Sequence, residues 1–296
     1  MFWVYFVFCL CPAKGGALAN KGLAFEFKIM TPLKIFFFGD IFGKPGRQAI
    51  KKALPDLKKK YQPDLILANA ENLAHGRGVT ASTLDEMSKA GIDLFTSGNH
   101  VWDKKDAWQI LNKKNANLLR PANYPAGAAG QGEKIIKLGI NSLLVVNLIG
   151  RVFFREDFDC PFRTIDNILE KYKRTKLGAI IIDFHAEATS EKVALGHYLD
   201  GKISALIGSH THVQTADEKI LSQGTAYITD IGMSGPADSV IGLDKNIIIQ
   251  NFLSQINQSA EIPESGPAQI NGVYLEINPK TQKAVRIERI NMAITI

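Results

Sequence analysis

Cysteine is scarce in this 296-residue chain: there are three, two of them Cys9 and Cys11, so Cys160 is the only thiol of residues 30–296. No disulfide framework can be drawn from that, and the composition suits a reducing, cytoplasmic compartment. A membrane-spanning run is also lacking. Phe2 to Cys11 is apolar for about ten residues, half of what a bilayer requires. It has the length of a signal-peptide core, with Ala17-Leu18-Ala19 as a cleavage site, but no positive charge precedes it and Lys14 intervenes. Met30-Thr-Pro-Leu-Lys34 leads straight into an apolar strand. Residues 1–29 therefore read as an N-terminal extension to a domain spanning 30–296, with export as the alternative. The glycines of 127–132 lack phosphate-loop spacing and no Gly-Lys-Ser/Thr follows, which excludes a nucleoside triphosphate cradle of that kind. Internal repeats, low-complexity linkers and aromatic–basic repeats are all missing. The charge imbalance is small, +6 overall with +2 of it in residues 1–29. It suits an anionic substrate and leaves RNA possible as a partner without arguing for it. Lys58-Lys-Lys60 reads as a solvated helix end.

What is present is an alternation of short apolar runs with amphipathic stretches, the mark of an α/β domain. Strands are expected at Leu33–Phe38, Asp64–Ala68, Asp93–Thr96, Gly178–Phe184, Ser204–Gly208 and Thr225–Thr229. Helices are expected up to Lys60 with a bend or restart at Pro55, over Thr80–Ala90 with Gly91 closing, over Trp102–Asn112, around Arg163–Thr175 and over Ser190–Asp200. Hairpins are expected at 133–149 and 270–290, and a loop over Asn257–Ala268.

Five of these strands end in groups that can ligate a metal: Asp40; Glu71 with Asn72; Asn99 with His100; His185; and His210 with His212. Strand carboxyl ends converge on one crevice in α/β sheets, so these side chains are expected to meet. Each has a structural alternative: Asp40 as a turn residue, Glu71 as a helix-start carboxylate, His185 as a satisfied core imidazole. Together they resist that explanation, since four of the six histidines lie directly at a strand end. With no thiolate nearby, imidazole, carboxylate and amide oxygen suit two adjacent hard or borderline cations, Fe, Mn or Zn. Such a pair clamps a phosphoryl group and acidifies a shared water.

The motifs Gly39-Asp40, Ala70-Glu-Asn72, Gly98-Asn-His-Val-Trp-Asp103, Arg120-Pro-Ala-Asn123, Asp183-Phe-His-Ala-Glu-Ala-Thr-Ser190 and Gly208-Ser-His-Thr-His-Val-Gln-Thr-Ala-Asp217 resemble the calcineurin-like metallophosphoesterases, and within them the YmdB-like branch of bacterial phosphodiesterases. The resemblance runs from about Lys34 to the final hairpin. It departs from the superfamily pattern where Asp-x-His is expected after the first strand, because Ile41 and Phe42 follow Asp40, and where Ala70-Glu71-Asn72 replaces Gly-Asp-x-x-Asp. It implies a sandwich of two packed β-sheets flanked by α-helices. It also implies two metal ions, one held by Asp40, Glu71, Asn72 and His212, the other by Glu71, Asn99, His185 and His210, with Glu71 bridging. An amide in place of an imidazole favours iron, with manganese or zinc as alternatives.

The implied reaction is phosphodiester hydrolysis by metal-bound hydroxide, with His100 as general acid and cyclic nucleotides, 2′,3′-cyclic in particular, as substrates. Asp103 either orients the His100 ring or caps the next helix. His75 and Arg77 are candidates to contact a substrate phosphate, or else solvated loop residues; Arg120 and Asn123 either line the mouth or are structural. The rival functions are a nuclease or RNA-processing enzyme on the same metals, and a regulatory metal-binding protein with incidental hydrolysis. A homo-oligomer is compatible with all three.

Overall fold

Strand β1 (Leu33–Phe38) is apolar throughout its middle because both of its faces are covered: Ile35 and Phe37 face one way, Phe36 and Phe38 the other, and all four are shut off from solvent. A computed structural model describes residues 31–296, so the expectations for residues 1–29 lie outside the described residues. After β1, the two-residue β2 (Asp40–Ile41) enters helix α1 (Gly43–Tyr61). Gly43 and Gly46 belong to the helix's own first turn, and Pro55, where a bend or restart was expected, sits inside the helix without breaking it. Pro55 and Lys51, whose carbonyl loses its partner, are both exposed, so solvent can take the missing hydrogen bond.

Strand β3 (Leu65–Asn69) pairs parallel with β1. Helix α2 (Ala81–Ala90) opens on a Thr80 capping box and closes at Gly91, with φ 109°. Strand β4 (Leu94–Thr96) then pairs parallel with β3. The helix expected over Trp102–Asn112 is split into a 3-10 turn at Asn99–Trp102 and helix α3 (Asp106–Leu111). The early turn brings the His100 N–H to 3.4 Å from Glu71 Oε2, a tertiary contact that local propensity does not report.

The second sheet starts with the expected hairpin, β5 (Glu133–Leu138) and β6 (Asn141–Ile149). It continues through α4 (Pro161–Tyr172), β7 (Ala179–His185), α5 (Thr189–Leu199), β8 (Ala205–Ser209), β9 (Lys219–Ile220) and β10 (Ala226–Ile228). Strands β6, β7, β8 and β10 are parallel neighbours, with β5 and β9 antiparallel at the edges. The chain then returns to the first sheet through β11 (Met233–Pro236), α6 (Lys245–Ser254) and the closing hairpin β12 (Pro267–Ile277) and β13 (Ala284–Thr295). That sheet runs β2-β11-β12-β1-β3-β4, with β13 on β12.

Helices α1, α2 and α3 pack on the outer face of the first sheet, α4 and α5 on that of the second. Between the sheets, Ile35, Phe37 and Leu67 meet Val145, Ile181 and Ile207. The fold is thus the expected α/β sandwich of two mixed sheets flanked by helices. Helix α6 was not expected from the sequence; it buries none of its residues, and Phe252 and Leu253 are each 74% exposed.

Candidate metal centre

His185 ends β7, Glu71 lies just past β3 and His210 just past β8, and their donor atoms fall within 4.8 Å of one another. The outer hydrogen bonds decide which atoms face inward. Ser209 Oγ–H donates to Asp183 Oδ1 at 2.6 Å, so the hydroxyl oxygen accepts Nδ1–H of His185 at 3.0 Å. His210 Nε2 lies 3.1 Å from Glu187 Oε2 on the outer side. What remains is His185 Nε2, 2.9 Å from His210 Nδ1 and 3.0 Å from Glu71 Oε1. Three lone pairs this close repel unless a cation lies among them.

In the protein alone a proton fills that role. Burial lowers the basicity of His185, but the carboxylates of Glu71, Asp40 and Asp183 outweigh it and raise its pKa to about 9. Burial likewise works to raise Glu71, and the His185 charge beside it wins, bringing Glu71 to about 2. Burial and then the same charge hold His210 neutral, down to about 3. The pocket is therefore tuned to positive charge.

Unpartnered oxygens accompany it. Among the described residues only four buried side-chain polar atoms lack a hydrogen-bond partner, and three are Asp40 Oδ1, Asn72 Oδ1 and Asn99 Oδ1. An orphaned buried oxygen is costly unless something binds it, and these are the hard-oxygen ligands expected from the strand ends. Asn72 is held by its amide, which donates to the Gly76 carbonyl at 2.8 Å and leaves the oxygen free. His212 Nδ1–H donates to Ile241 O at 3.0 Å, which frees its Nε2. Burial raises Asp40 to about 6, against the pull of His185 and His212. Gly98 is required by space: a Cβ there would overlap the Glu71 carboxylate and the His185 ring. Two cations fit this donor set.

Glu71, Asn72, His100, His210 and His212 line a crevice of about 890 Å³, Asn99 lines an adjoining one, and Asp40 and His185 lie buried behind them. His100 Nδ1 pairs with Asp103 Oδ2 at 3.0 Å, so Asp103 orients the ring. His75 and Arg77 are exposed at the lip of the crevice. Arg120 and Asn123 are not brought to it. The Arg120 guanidinium donates to the carbonyls of Pro121, Ala122, Ala128 and Ala129, and Asn123 bonds to Ile149 and Asp159. Both satisfy the backbone of a loop that has no regular partner, so their structural alternative holds.

A model of the YmdB-like protein family matches residues 36–290. The chain belongs to that family. It is 46% identical over 259 residues, 87% of this chain and 96% of the relative, to a 2′,3′-cyclic-nucleotide 2′-phosphodiesterase of Bacillus subtilis strain 168. The crystal structure of a novel phosphatase from Mycoplasma pneumoniae superposes with a TM-score of 0.84 at 37% identity, over 90% of this chain and 95% of that one. A hypothetical protein from Thermus thermophilus gives 0.81 at 38%, over 88% and 99%. Haemophilus influenzae NAD nucleotidase shares the fold alone, at 0.57 and 13% identity over 89% of this chain and 56% of that one.

Around the YmdB-like centre lie supports that strand-end counting misses. Asp183 is buried and accepts from Thr96 at 2.5 Å, Asn69 at 3.0 Å and Ser209 at 2.6 Å, which locks the hydroxyl that orients His185. Its spacing, two residues before His185 on one strand face, was the available signal. His210 and His212 both adopt left-handed backbone, φ 102° and 66°, a strained conformation for non-glycine residues. What holds them is Asp230, which accepts from the Thr211 N–H at 3.0 Å and hydroxyl at 2.8 Å and from Lys192 Nζ at 2.7 Å. Lys192 is 1% exposed, and nothing in the sequence marks it as buried. Lys192→Met is expected to leave the Asp230 charge stranded, costing about 3–5 kcal/mol. Thermal unfolding checks this as a fall in Tm of about 10 °C, and adding Asp230→Asn should recover part of it.

Proposed function

We propose that this chain is a phosphodiesterase that uses two metal ions and acts on 2′,3′-cyclic nucleotides, opening the 2′ ester. The observation that carries the proposal is the convergence of three facing lone pairs, on Glu71, His185 and His210, with three unpartnered oxygens, on Asp40, Asn72 and Asn99. The similarity to the Bacillus subtilis enzyme over nearly its whole length supports the substrate class. Asp40, Glu71, Asn72 and His212 would hold one ion, and Glu71, Asn99, His185 and His210 the other, with one Glu71 oxygen for each. When bound, such a pair neutralises charge on a phosphoryl group and acidifies water. The many hard oxygens favour iron or manganese over a zinc pair.

The chain's own side chains do the rest. His100, steadied by Asp103, gives its Nε2 proton to the departing ribose oxygen. Arg77 and His75, which line the lip, would meet phosphate oxygens, the guanidinium in two-pronged fashion. We place the reaction in the cytoplasm, on the scarcity of thiols; among the described residues Cys160 is the single cysteine and no helix is long and apolar enough to cross a membrane.

The test joins elemental analysis of the purified protein to hydrolysis of adenosine 2′,3′-cyclic phosphate. We expect close to two Fe, Mn or Zn per chain, a 3′-phosphate product, loss of turnover on chelation and its return with Mn or Fe. A metal-free protein that cannot be reconstituted overturns the proposal.

A further inference from the structure

The crevice has two arms, and phosphodiester chemistry at the centre uses only part of the second. The larger arm runs past Phe42 and Ile241 to Asn251 and Gln258. The smaller, about 380 Å³, is lined by Arg77, Asn99, His100, Phe153, Arg155 and Glu156 among others. His100 and His210 belong to both, so the centre lies where the arms meet. A volume of this size falls in the range of single small-molecule sites.

The wall of the smaller arm is built rather than left to solvent. Buried Glu191 accepts the backbone N–H of Arg151 at 3.1 Å and of Val152 at 3.3 Å, which pins the segment where it leaves β6. Phe158 packs on Tyr124 at 4.9 Å, and Phe154 bridges Phe158 to the His210 ring, 5.8 and 5.0 Å between centroids. Between these anchors Phe153 is held at φ 70° and 82% exposed. Left-handed backbone at a bulky residue, combined with a ring displayed to water, is unfavourable on both counts, and such strain gathers at binding sites. Arg77 and Arg155 are exposed beside it, and neither forms an ion pair among the described residues. Against these two cations stands Glu156, Asp103 being engaged by His100.

The shape of the substrate says what this arm is for. In a 2′,3′-cyclic nucleotide the phosphate ring occupies one face of the ribose, while the base at C1′ and the 5′ substituent at C4′ leave from the other and diverge. With the phosphate at the centre, the base enters one arm and the 5′ side the other. The larger arm offers the apolar walls of Phe42, Ile241 and Ile248 and the side-chain amide of Gln258, which suit a base, while the Asn251 amide holds the Gln258 backbone. In a mononucleotide the 5′ side is a hydroxyl and would leave the Arg155 guanidinium and an aromatic ring unused.

We propose that the smaller arm binds the preceding nucleotide of an RNA chain, so that oligoribonucleotides ending in a 2′,3′-cyclic phosphate are substrates and are preferred over mononucleotides. Arg155 takes the linking phosphate, and the penultimate base stacks on Phe153. The bond opened is the same P–O2′ bond: water gives its oxygen to phosphorus and a proton to O2′, leaving a terminal 3′-phosphate. The inference rests on the phosphodiesterase reading above.

The test compares kcat/KM for adenosine 2′,3′-cyclic phosphate with that for the dinucleotide ApA ending in the same cyclic phosphate, in the wild type, Arg155→Ala and Phe153→Ala. The dinucleotide is expected to be favoured by about tenfold or more, a typical effect of one stacked base with one charge-assisted contact. Each variant should pull that ratio back toward one. A wild-type ratio near one, or a ratio that neither variant moves, overturns the inference while leaving the phosphodiesterase intact. If neither substrate is hydrolysed by metal-loaded protein, the phosphodiesterase reading itself falls and takes the inference with it.

Discussion

Replacing Glu71 by glutamine is expected to abolish hydrolysis, by about a thousandfold or more, and to strip the protein of metal. Glu71 is 1% exposed, with Oε1 3.0 Å from His185 Nε2 and Oε2 3.4 Å from the His100 N–H, so its two oxygens look into different halves of the centre. An amide offers one oxygen and one NH2 group in the same space. It can serve one ion but not bridge two, and its N–H would point at a lone pair or a cation. Fold stability should survive. His185 is charged in the metal-free protein because carboxylates surround it, Glu71 foremost. Without Glu71 it can release its proton and remain in place, so no buried charge is stranded, in contrast to Asp230 after loss of Lys192. The measurements are metal content by elemental analysis, Tm, and turnover of adenosine 2′,3′-cyclic phosphate. Near-normal turnover in a metal-loaded Glu71→Gln variant would remove Glu71 from the bridge and with it the assignment of both ions.

His100→Ala is expected to do the reverse to metal and the same to chemistry: metal retained, kcat on the cyclic nucleotide lower by about 10²–10⁴. The His100 side chain makes its contact with Asp103, away from the converging donors, while the link to Glu71 runs through the backbone N–H and outlasts the substitution. A proton donor matters in proportion to the basicity of the leaving group. The ribose 2′-alkoxide needs protonation; p-nitrophenolate does not. Bis(p-nitrophenyl) phosphate should therefore lose far less activity in His100→Ala than the cyclic nucleotide does, with KM for the latter little changed. An equal loss on both substrates would make His100 a phosphate-binding residue instead of an acid. Asp103→Asn should fall between wild type and His100→Ala on the cyclic nucleotide, because it loosens the ring without removing it.

The residues that reach the centre were legible along the chain because strand direction is a local property. An apolar run ending in Asp40, Glu71, Asn99, His185 or His210 announces both the strand and what its carboxyl end presents, and parallel pairing brings those ends together. Capping made α2 equally readable, from Thr80 and Gly91. Arg120 and Asn123 misled because their motif is dense in polar groups near the right place. A guanidinium can bind a phosphate or four backbone carbonyls, and only the course of residues 121–129 decides between them. Helix α6 was missed because it buries nothing, so its sequence carries no strong amphipathic signature.

By itself, then, the sequence determined the α/β class, most of the strand and helix order, and seven candidate ligand residues whose hard oxygens and imidazoles called for cations, while the sandwich was what the family resemblance implied. Tertiary structure decided which atom of each faces inward. His185 turns Nε2 to the centre because Ser209, committed to Asp183, accepts from Nδ1; His210 Nδ1 lies 2.9 Å from that nitrogen, with its Nε2 beside Glu187 on the outer side. Those partners come from other elements or from beyond the strand end, and the strained loop bearing His210 and His212 keeps its shape through a buried Lys192–Asp230 pair. Hydrogen-bond direction depends on what lies on the far side of a ring, and that is set by packing across two sheets and not by neighbours along the chain.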